Sequence, residues 1–276
     1  MLGIMHGRLS KPLTGKIQEF PVNTWRNEFK LANSLGLQAI EWTLDFANFR
    51  LNPIFNPEEQ YIIEDLQKLY SVQVPSITLD CFVEAPFYKQ NAFTGIKSEI
   101  QDLRWVIENL QNTEVKILVL PIVAESGKFN EVHLVDLIKC LNQVDELLSQ
   151  TNKQIAIECE FDIESMDELL SELNPDNFGI NFDMGNSASL GHDPEEELKV
   201  CGDRIFNIHI KDRLLGGPTV KLGTGHVNFK RIAKLLCGQE YAGNMILQAA
   251  RDPAKNEPEL IATYLDFCNQ YNWVKD

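Results

Sequence analysis

Positive charge is in short supply in this chain of 276 residues: 25 Lys and Arg stand against 40 Asp and Glu, a net charge of -15. A surface of that sign repels phosphate backbones and anionic lipid, so nucleic acid and membrane surfaces are poor partners. Long apolar runs are missing too. No stretch approaches the roughly 18 residues needed to cross a bilayer. The opening Met1-Leu2-Gly3-Ile4-Met5-His6-Gly7-Arg8 lacks the basic region and apolar run of a secretory signal, which makes the cytoplasm the expected compartment. Cysteine is sparse and scattered. Cys81, Cys140, Cys159, Cys201, Cys237 and Cys268 form no CxxC pair, so they read as reduced thiols packed inside, not as a structural zinc site. No GxGxxG follows the first apolar run, which weakens a dinucleotide-binding fold.

What the chain does have is alternation. Apolar runs of strand length lead into segments of helical period throughout: Leu2–Met5, Gln38–Trp42, Val74–Leu79, Lys116–Leu120, Ile155–Cys159, Phe178–Phe182, Ile205–Ile210 and Asn244–Leu247 read as strands. Helices are expected at Trp25–Leu35, Pro57–Tyr70, Lys97–Leu110, Val132–Ser149, Ser165–Leu173, Pro194–Cys201, Phe229–Leu236 and Glu259–Tyr271. Asn56-Pro57 and Asp193-Pro194 each put a capping side chain before proline at the first helical position, and Ser165 opens a similar capping box with Glu168. Continuously apolar, β-branched strands alternating with helices mean a parallel sheet covered on both sides. Eight units of about 34 residues predict one α/β domain over residues 1–276, a single (β/α)8 TIM barrel.

Reactive groups of such a barrel sit at the C-terminal strand ends. Here those ends carry Glu41, Asp80, Glu158, Asp183, His209 and Gln248. Alternation places Gln154, Ala156, Glu158 and Glu160 on one face, as it does Gly179, Asn181 and Asp183 on the next strand. Asn207, His209 and Lys211 share a face, as do Asn244, Ile246 and Gln248, while Phe206, Ile208 and Ile210 fall on the opposite, helix-facing side. Buried carboxylates and an imidazole converging on one interior would repel or stay unsatisfied without a cation. Glu158, Asp183, His209 and the Gln248 amide oxygen make a mixed nitrogen and oxygen set for one divalent ion: Mn2+, Mg2+, Co2+ or Zn2+. Asp80 carries the simpler expectation of a helix cap, with substrate binding as the alternative. Lys211, Arg213 and the Gly223-Thr224-Gly225 turn suggest an anion site after strand seven, and Arg251 stands close by in sequence to Gln248. His6, Arg8 and His192 are further substrate-binding candidates at the mouth, whereas His133, His226, Trp25, Trp42 and Phe82 read as structural.

These strand ends also carry a resemblance. Ile157-Glu158, Asn181-Phe182-Asp183-Met184-Gly185-Asn186, His209-Ile210-Lys211-Asp212 and Leu222-Gly223-Thr224-Gly225-His226-Val227-Asn228-Phe229 are similar to the signatures of xylose-isomerase-like barrels, and Gly36-Leu37-Gln38-Ala39-Ile40-Glu41 matches strand two. The likeness is to sugar-phosphate 3-epimerases of the L-ribulose-5-phosphate type, with tagatose 3-epimerase and hydroxypyruvate isomerase as relatives. It implies a divalent-metal-dependent sugar or sugar-phosphate isomerase/epimerase acting through a metal-stabilised enediolate. Glu158, Asp183, His209 and Gln248 would hold the metal, with Glu158 as base, Lys211 as electrostatic helper, and Asn186, Asp80, Arg213 and Arg251 near substrate. The relatives have Glu where this chain has Gln248, and that Glu is their second base. An amide can bind a metal but cannot exchange a proton, so Glu160, on the face of Glu158, becomes the candidate second acid. Two alternatives stand beside this: a lyase such as an inosose-type dehydratase, and a non-catalytic sugar-binding barrel. An endonuclease IV-like reading is opposed by the charge of -15. The expected partner is a small sugar or sugar phosphate, and homo-oligomerisation is left open.

Overall fold

A computed structural model describes residues 1–46, 49–84, 97–122, 131–252, 254, 256–271 and 273. In chain order the elements are β1 (Leu2–Met5), α1 (Trp25–Ser34), β2 (Ala39–Thr43), α2 (Pro57–Tyr70), β3 (Gln73–Thr78), α3 (Cys81–Glu84), α4 (Lys97–Leu110) and β4 (Ile117–Ile122). Then come α5 (Glu131–Asn142), α6 (Asp145–Thr151), β5 (Gln154–Cys159), α7 (Ile163–Ser171), β6 (Phe178–Asp183), α8 (Met184–Leu190), α9 (Pro194–Cys201) and β7 (Ile205–Ile210). A hairpin of β8 (Asp212–Arg213) and β9 (Thr219–Val220), α10 (Phe229–Gly238), β10 (Asn244–Leu247) and α11 (Glu257–Cys268) complete the chain. Eight strands close, all parallel, in the order β1-β10-β7-β6-β5-β4-β3-β2. The expected TIM barrel is the observed fold.

Strand alternation explains the layers. Ile155, Ile157, Ile180, Phe182, Ile208, Ile210, Met245 and Leu247 point outward into one shell of buried side chains beneath the helices. Trp25, Trp42 and Phe82 belong to the same shell, as expected of packing residues. A second, smaller cluster of Ile117, Val119 and Ala156 fills the lower interior.

Phe206 departs from the sequence reading. The β6–β7 register slips between Ile180 and Asn181, pairing Ile180 with Ile205 but Asn181 with Asn207. The extra residue turns Phe206 from the helix side onto the inner cluster of Ile117, Val119 and Ala156. Gly179 makes the space: a Cβ there would stand 2.7 Å from the Phe206 ring.

Helix ends differ in smaller ways. Asn56 and Asp193 cap α2 and α9 as the sequence predicts, accepting from Glu58 and Glu59 N–H and from Glu195 N–H. The cap of α7 is Asp162, which accepts from Ser165 N–H, so Ser165 lies inside the helix and not before it. The single helix expected over 132–149 is two, broken between Asn142 and Asp145. Helices α3 and α8 were not foreseen. All six cysteines are free, but Cys237 is exposed and Cys159 only partly covered, so the interior placement holds for the other four.

Candidate metal centre

Consecutive strands carry the cluster. Glu158 lies near the end of β5, Asp183 ends β6 and His209 sits one residue before the end of β7, paired in register with Asp183. Their ligand atoms lie within 4.8 Å of one another, the one such group of His, Cys, Asp and Glu among the described residues. His209 is sealed from solvent. Its Nε2 stands 2.7 Å from Glu41 Oε1, and its Nδ1 faces Glu158 Oε2 and Asn181 Nδ2, both at 3.0 Å. Asp183 Oδ2 is 3.9 Å from the same Nδ1.

Each member is held by a second set of contacts. Glu41, fully buried on β2, accepts from Ser76 Oγ (2.8 Å), Thr78 Oγ1 (2.5 Å) and Asn207 Nδ2 (2.8 Å) as well as facing His209. This fixes which imidazole nitrogen points inward, the arrangement in which a carboxylate orients a metal-binding histidine. Glu158 accepts from Asn181 Nδ2 at 2.9 Å and Asn186 Nδ2 at 3.0 Å. Asp183 splits its oxygens. Oδ1 caps α8 by accepting from Asn186 N–H (2.8 Å), and Oδ2 takes Lys211 Nζ (3.0 Å). The same ammonium donates to Gln248 Oε1 at 3.0 Å. Glu158, Asp183 and His209 are therefore brought together directly, and Gln248 joins through Lys211.

Electrostatics follow from the crowding. Burial opposes charge on His209, yet Glu41 and Glu158 outweigh it and raise the imidazole to about 10. Burial likewise pushes the Asp183 carboxyl up, against the pull of Lys211. Glu158 is moved the other way: burial would raise it, but His209 and Lys211 hold it below the usual carboxylate range. Three buried carboxyl groups thus face one imidazole and one ammonium. A divalent ion on the donors Glu158, Asp183 and His209 Nδ1, replacing the imidazolium proton, would balance them, so the residues present fit such a metal.

Above the cluster opens a cleft of about 280 Å³ lined by Arg8, Gln18, Asp45, Asp80, Lys211 and Gln248, with Lys16, Ile17, Phe46, Val83 and Thr219 completing the wall. The sequence pattern of the xylose isomerase-like TIM barrel matches residues 29–271. The chain belongs to that family. An L-ribulose-5-phosphate 3-epimerase from Salmonella paratyphi A is 23% identical over 264 residues, 91% of this chain and 89% of the relative. An inosose dehydratase from Clostridium tetani is 23% identical over 230 residues, 73% of this chain and 77% of the relative. The crystal structure of the IolI protein with a bound zinc atom superposes with a TM-score of 0.75 at 16% identity, covering 98% of each chain.

Several residues of this xylose isomerase-like barrel lie elsewhere than its sequence suggests. Arg213 does not reach the cleft wall. Its guanidinium donates to Glu160 Oε1 (2.8 Å), Asn186 Oδ1 (2.8 Å) and Gly217 O (3.1 Å), which ties down Glu160 as well. Arg251 is spent on the carbonyls of Gly7, Ser10 and Ile17, pinning the loop after β1. The Gly223–Gly225 turn has no N–H left for an anion. Asp212 accepts from Gly223, Gly225 and Val227, and Thr224 N–H goes to Lys221 O. A Cβ at Gly225 would meet Asp212 Oδ1 at 2.2 Å, so that turn needs glycine.

His6 is buried between Phe20, Trp25 and Trp42, where burial lowers it to about 3, and it does not line the cleft. His192 and His226 line a separate hollow of about 220 Å³ beside α8, and Glu197 raises His192. The side chain of His133 lies outside the described residues. Arg8 does reach the cleft, held by Gln18 and Ala249 O and lowered to about 9 by burial and by Arg251. Asp80 also lines it, and among the described residues its side chain accepts no capping hydrogen bond. The roles of Glu41, Asn181 and Asn207 were missed, although their inward positions on β2, β6 and β7 were visible. Gln18 and Asp45 come from loops without periodicity.

Proposed function

We propose that this barrel is a divalent-metal-dependent sugar isomerase or epimerase, with its centre at Glu158, Asp183 and His209. The observation that carries the reading is this triad, oriented by Glu41 and joined through Lys211 to an open cleft. The relatives named as an L-ribulose-5-phosphate 3-epimerase and an inosose dehydratase support the same substrate class. When bound, a divalent ion supplies the positive charge that acidifies a C–H beside a carbonyl.

The remaining steps fall to the chain itself. Glu158, with the Lys211 ammonium favouring its ionised form, takes the proton from carbon. Asn181 and Asn186 fix the direction in which its oxygens point. The Lys211 ammonium, lining the cleft, faces the negative charge that develops on the substrate's oxygens as the enediolate forms. Arg8, held in place by Gln18, supplies hydrogen bonds to hydroxyl groups from the loop after β1. With Arg213, Arg251 and the Gly223–Gly225 turn otherwise engaged, the cations left to meet substrate are those lining the cleft, Arg8, Lys16 and Lys211.

Gln248 favours one second reading, a lyase. An amide cannot serve as the second base of an epimerase, whereas elimination of water needs only one base and an acid for the leaving hydroxyl. The test is to strip metal, restore Mn2+, Co2+, Mg2+ or Zn2+ singly, and follow a panel of ketoses and their phosphates in D2O by NMR. Metal-dependent deuterium beside the carbonyl, with a new epimer or isomer, is the expected result. Loss of water identifies the lyase. Tight sugar binding with no exchange under any metal contradicts both and leaves a binding barrel.

A further inference from the structure

A guanidinium keeps its charge at any ordinary pH, and a buried charge is costly unless an opposite one meets it. Arg8 is only 5% exposed, yet among the described residues it forms no ion pair. Asp80 and Glu28 act on it from further away, and Arg251 adds a like charge nearby. Its Nε donates to Gln18 Oε1 (2.9 Å) and its Nη1 to Ala249 O (2.8 Å), while Nη2 has no acceptor among the described residues. Gln18 is itself fixed by donating to His6 O and Thr43 Oγ1, so the guanidinium is held in one place.

Gln248 directly precedes the Ala249 carbonyl that anchors Arg8, and it is only 9% exposed. Lys211 Nζ donates to its Oε1 at 3.0 Å, which settles the direction of the amide and leaves Nε2 over, with no acceptor among the described residues. Both side chains line the cleft. Arg8 follows β1 and Gln248 follows β10, which are paired neighbours, and β1 stands diametrically opposite β5, the strand of Glu158. Two unused donor groups, one of them charged, match two oxygens that share one negative charge. A hydroxyl would leave the guanidinium charge unmet. A phosphate has more outer oxygens and more charge, and the backbone N–H groups of the Gly223–Gly225 turn are already held by Asp212 and Lys221 O.

We propose that the substrate of the isomerase reading, on which this inference rests, is a sugar acid whose carboxylate is bound by Arg8 Nη2 and Gln248 Nε2 while its carbonyl end reaches the triad. Gln248 then selects substrate. A carboxylate at position 248 would repel the substrate's own, whereas an amide donates to it, and Lys211 keeps that amide turned the right way. Arg8 has further N–H groups for a hydroxyl beside the carboxylate.

The test uses the full-length, metal-loaded protein and matched probes: fructose, psicose, sorbose and tagatose, each as the neutral sugar, as the acid oxidised at the terminal carbon far from the carbonyl, and as the phosphate at that carbon. Binding is read by calorimetry, and exchange by NMR in D2O. The best-bound acid should bind at least about 10-fold more tightly than its neutral sugar and its phosphate. Arg8→Gln should weaken that acid about 30-fold and the neutral sugar less than about threefold, and Arg8→Lys should recover part of the loss. Gln248→Glu should reverse the preference, so that the neutral sugar binds more tightly than the acid. Metal content and Tm of Arg8→Gln should match the parent. Equal binding of acid and neutral sugar by the parent, or a preference for the phosphate, would overturn the proposal. Equal weakening of every form in Arg8→Gln, or an unchanged preference in Gln248→Glu, would do the same. A parent that binds the acid through Arg8 but exchanges no sugar overturns the isomerase reading and leaves the carboxylate site standing. One that exchanges neutral sugars and binds acids no better overturns the carboxylate site alone.

Discussion

After β1, His6 packs its ring against Trp42 at 4.4 Å and Phe20 at 5.3 Å, with Trp25 O 3.4 Å from Nε2. On β7, His209 lies between Glu41 and Glu158. Neither is exposed to solvent. The first is driven down to about 3 and stays neutral; the second is driven up to about 10. Burial is common to both, so partners decide the charge. Aromatic neighbours make a structural histidine, and carboxylates aimed at both ring nitrogens make one that can exchange a proton for a metal.

The largest effect should come from the carboxylate side of this contrast. Glu158→Gln should lower solvent-deuterium exchange into substrate by about 1000-fold, measured by NMR under saturating metal. Glu160→Gln, whose parent carboxylate is held by Arg213, should change exchange by less than about threefold, since a partly exposed ion pair contributes little. A large loss in Glu160→Gln would mean that the second acid lies there after all.

On the aromatic side the readout is acid stability. His6 has its folded pKa lowered from 6.5 to about 3, so between those values the unfolded chain binds more protons. Stability is therefore full above pH 6.5 and falls as pH drops towards 3. His6→Phe should remove about 3 kcal/mol of the stability difference between pH 7 and pH 4, measured by urea unfolding. An unchanged pH slope would break the comparison from this side.

The orienting carboxylate comes next. Glu41→Gln keeps the size of the side chain but weakens its hold on His209 Nε2, and metal affinity should fall about 10–100-fold by competition with a chelating dye. Smallest is the loop after β7. Asp212→Ala should leave Gly223, Gly225 and Val227 N–H without their acceptor and cost about 1–2 kcal/mol, seen as faster amide hydrogen exchange confined to that turn.

Strand periodicity explains why so much of the centre was legible. Asp183 ends an apolar run, Glu158 and His209 each sit one residue before the end of one, and period-two alternation alone puts them on the inward face. Phe206 obeys the same pattern on paper, but a bulge shifts the register by one residue, and nothing in Ile205–Ile210 marks it. Helix α8 is built of small residues directly after a strand, so it has no amphipathic period, and its cap is the same Asp183 that faces the cluster. Arg213, Arg251 and the Gly223–Gly225 turn look like anion binders because residue type is visible in sequence. Their partners, Glu160, the carbonyls after β1, and Asp212, become visible only when the barrel closes.

The claim on which the rest depends is that Glu158, Asp183 and His209 hold one divalent ion in the native barrel. Elemental analysis of the purified protein beside Asp183→Ala and His209→Ala, after equal incubation with Mn2+, Co2+ or Zn2+ and desalting, tests it directly. About one ion per chain in the parent and loss of it in both variants, with circular dichroism unchanged, is the predicted result. Full occupancy in both variants, or none in the parent under any metal, would contradict it.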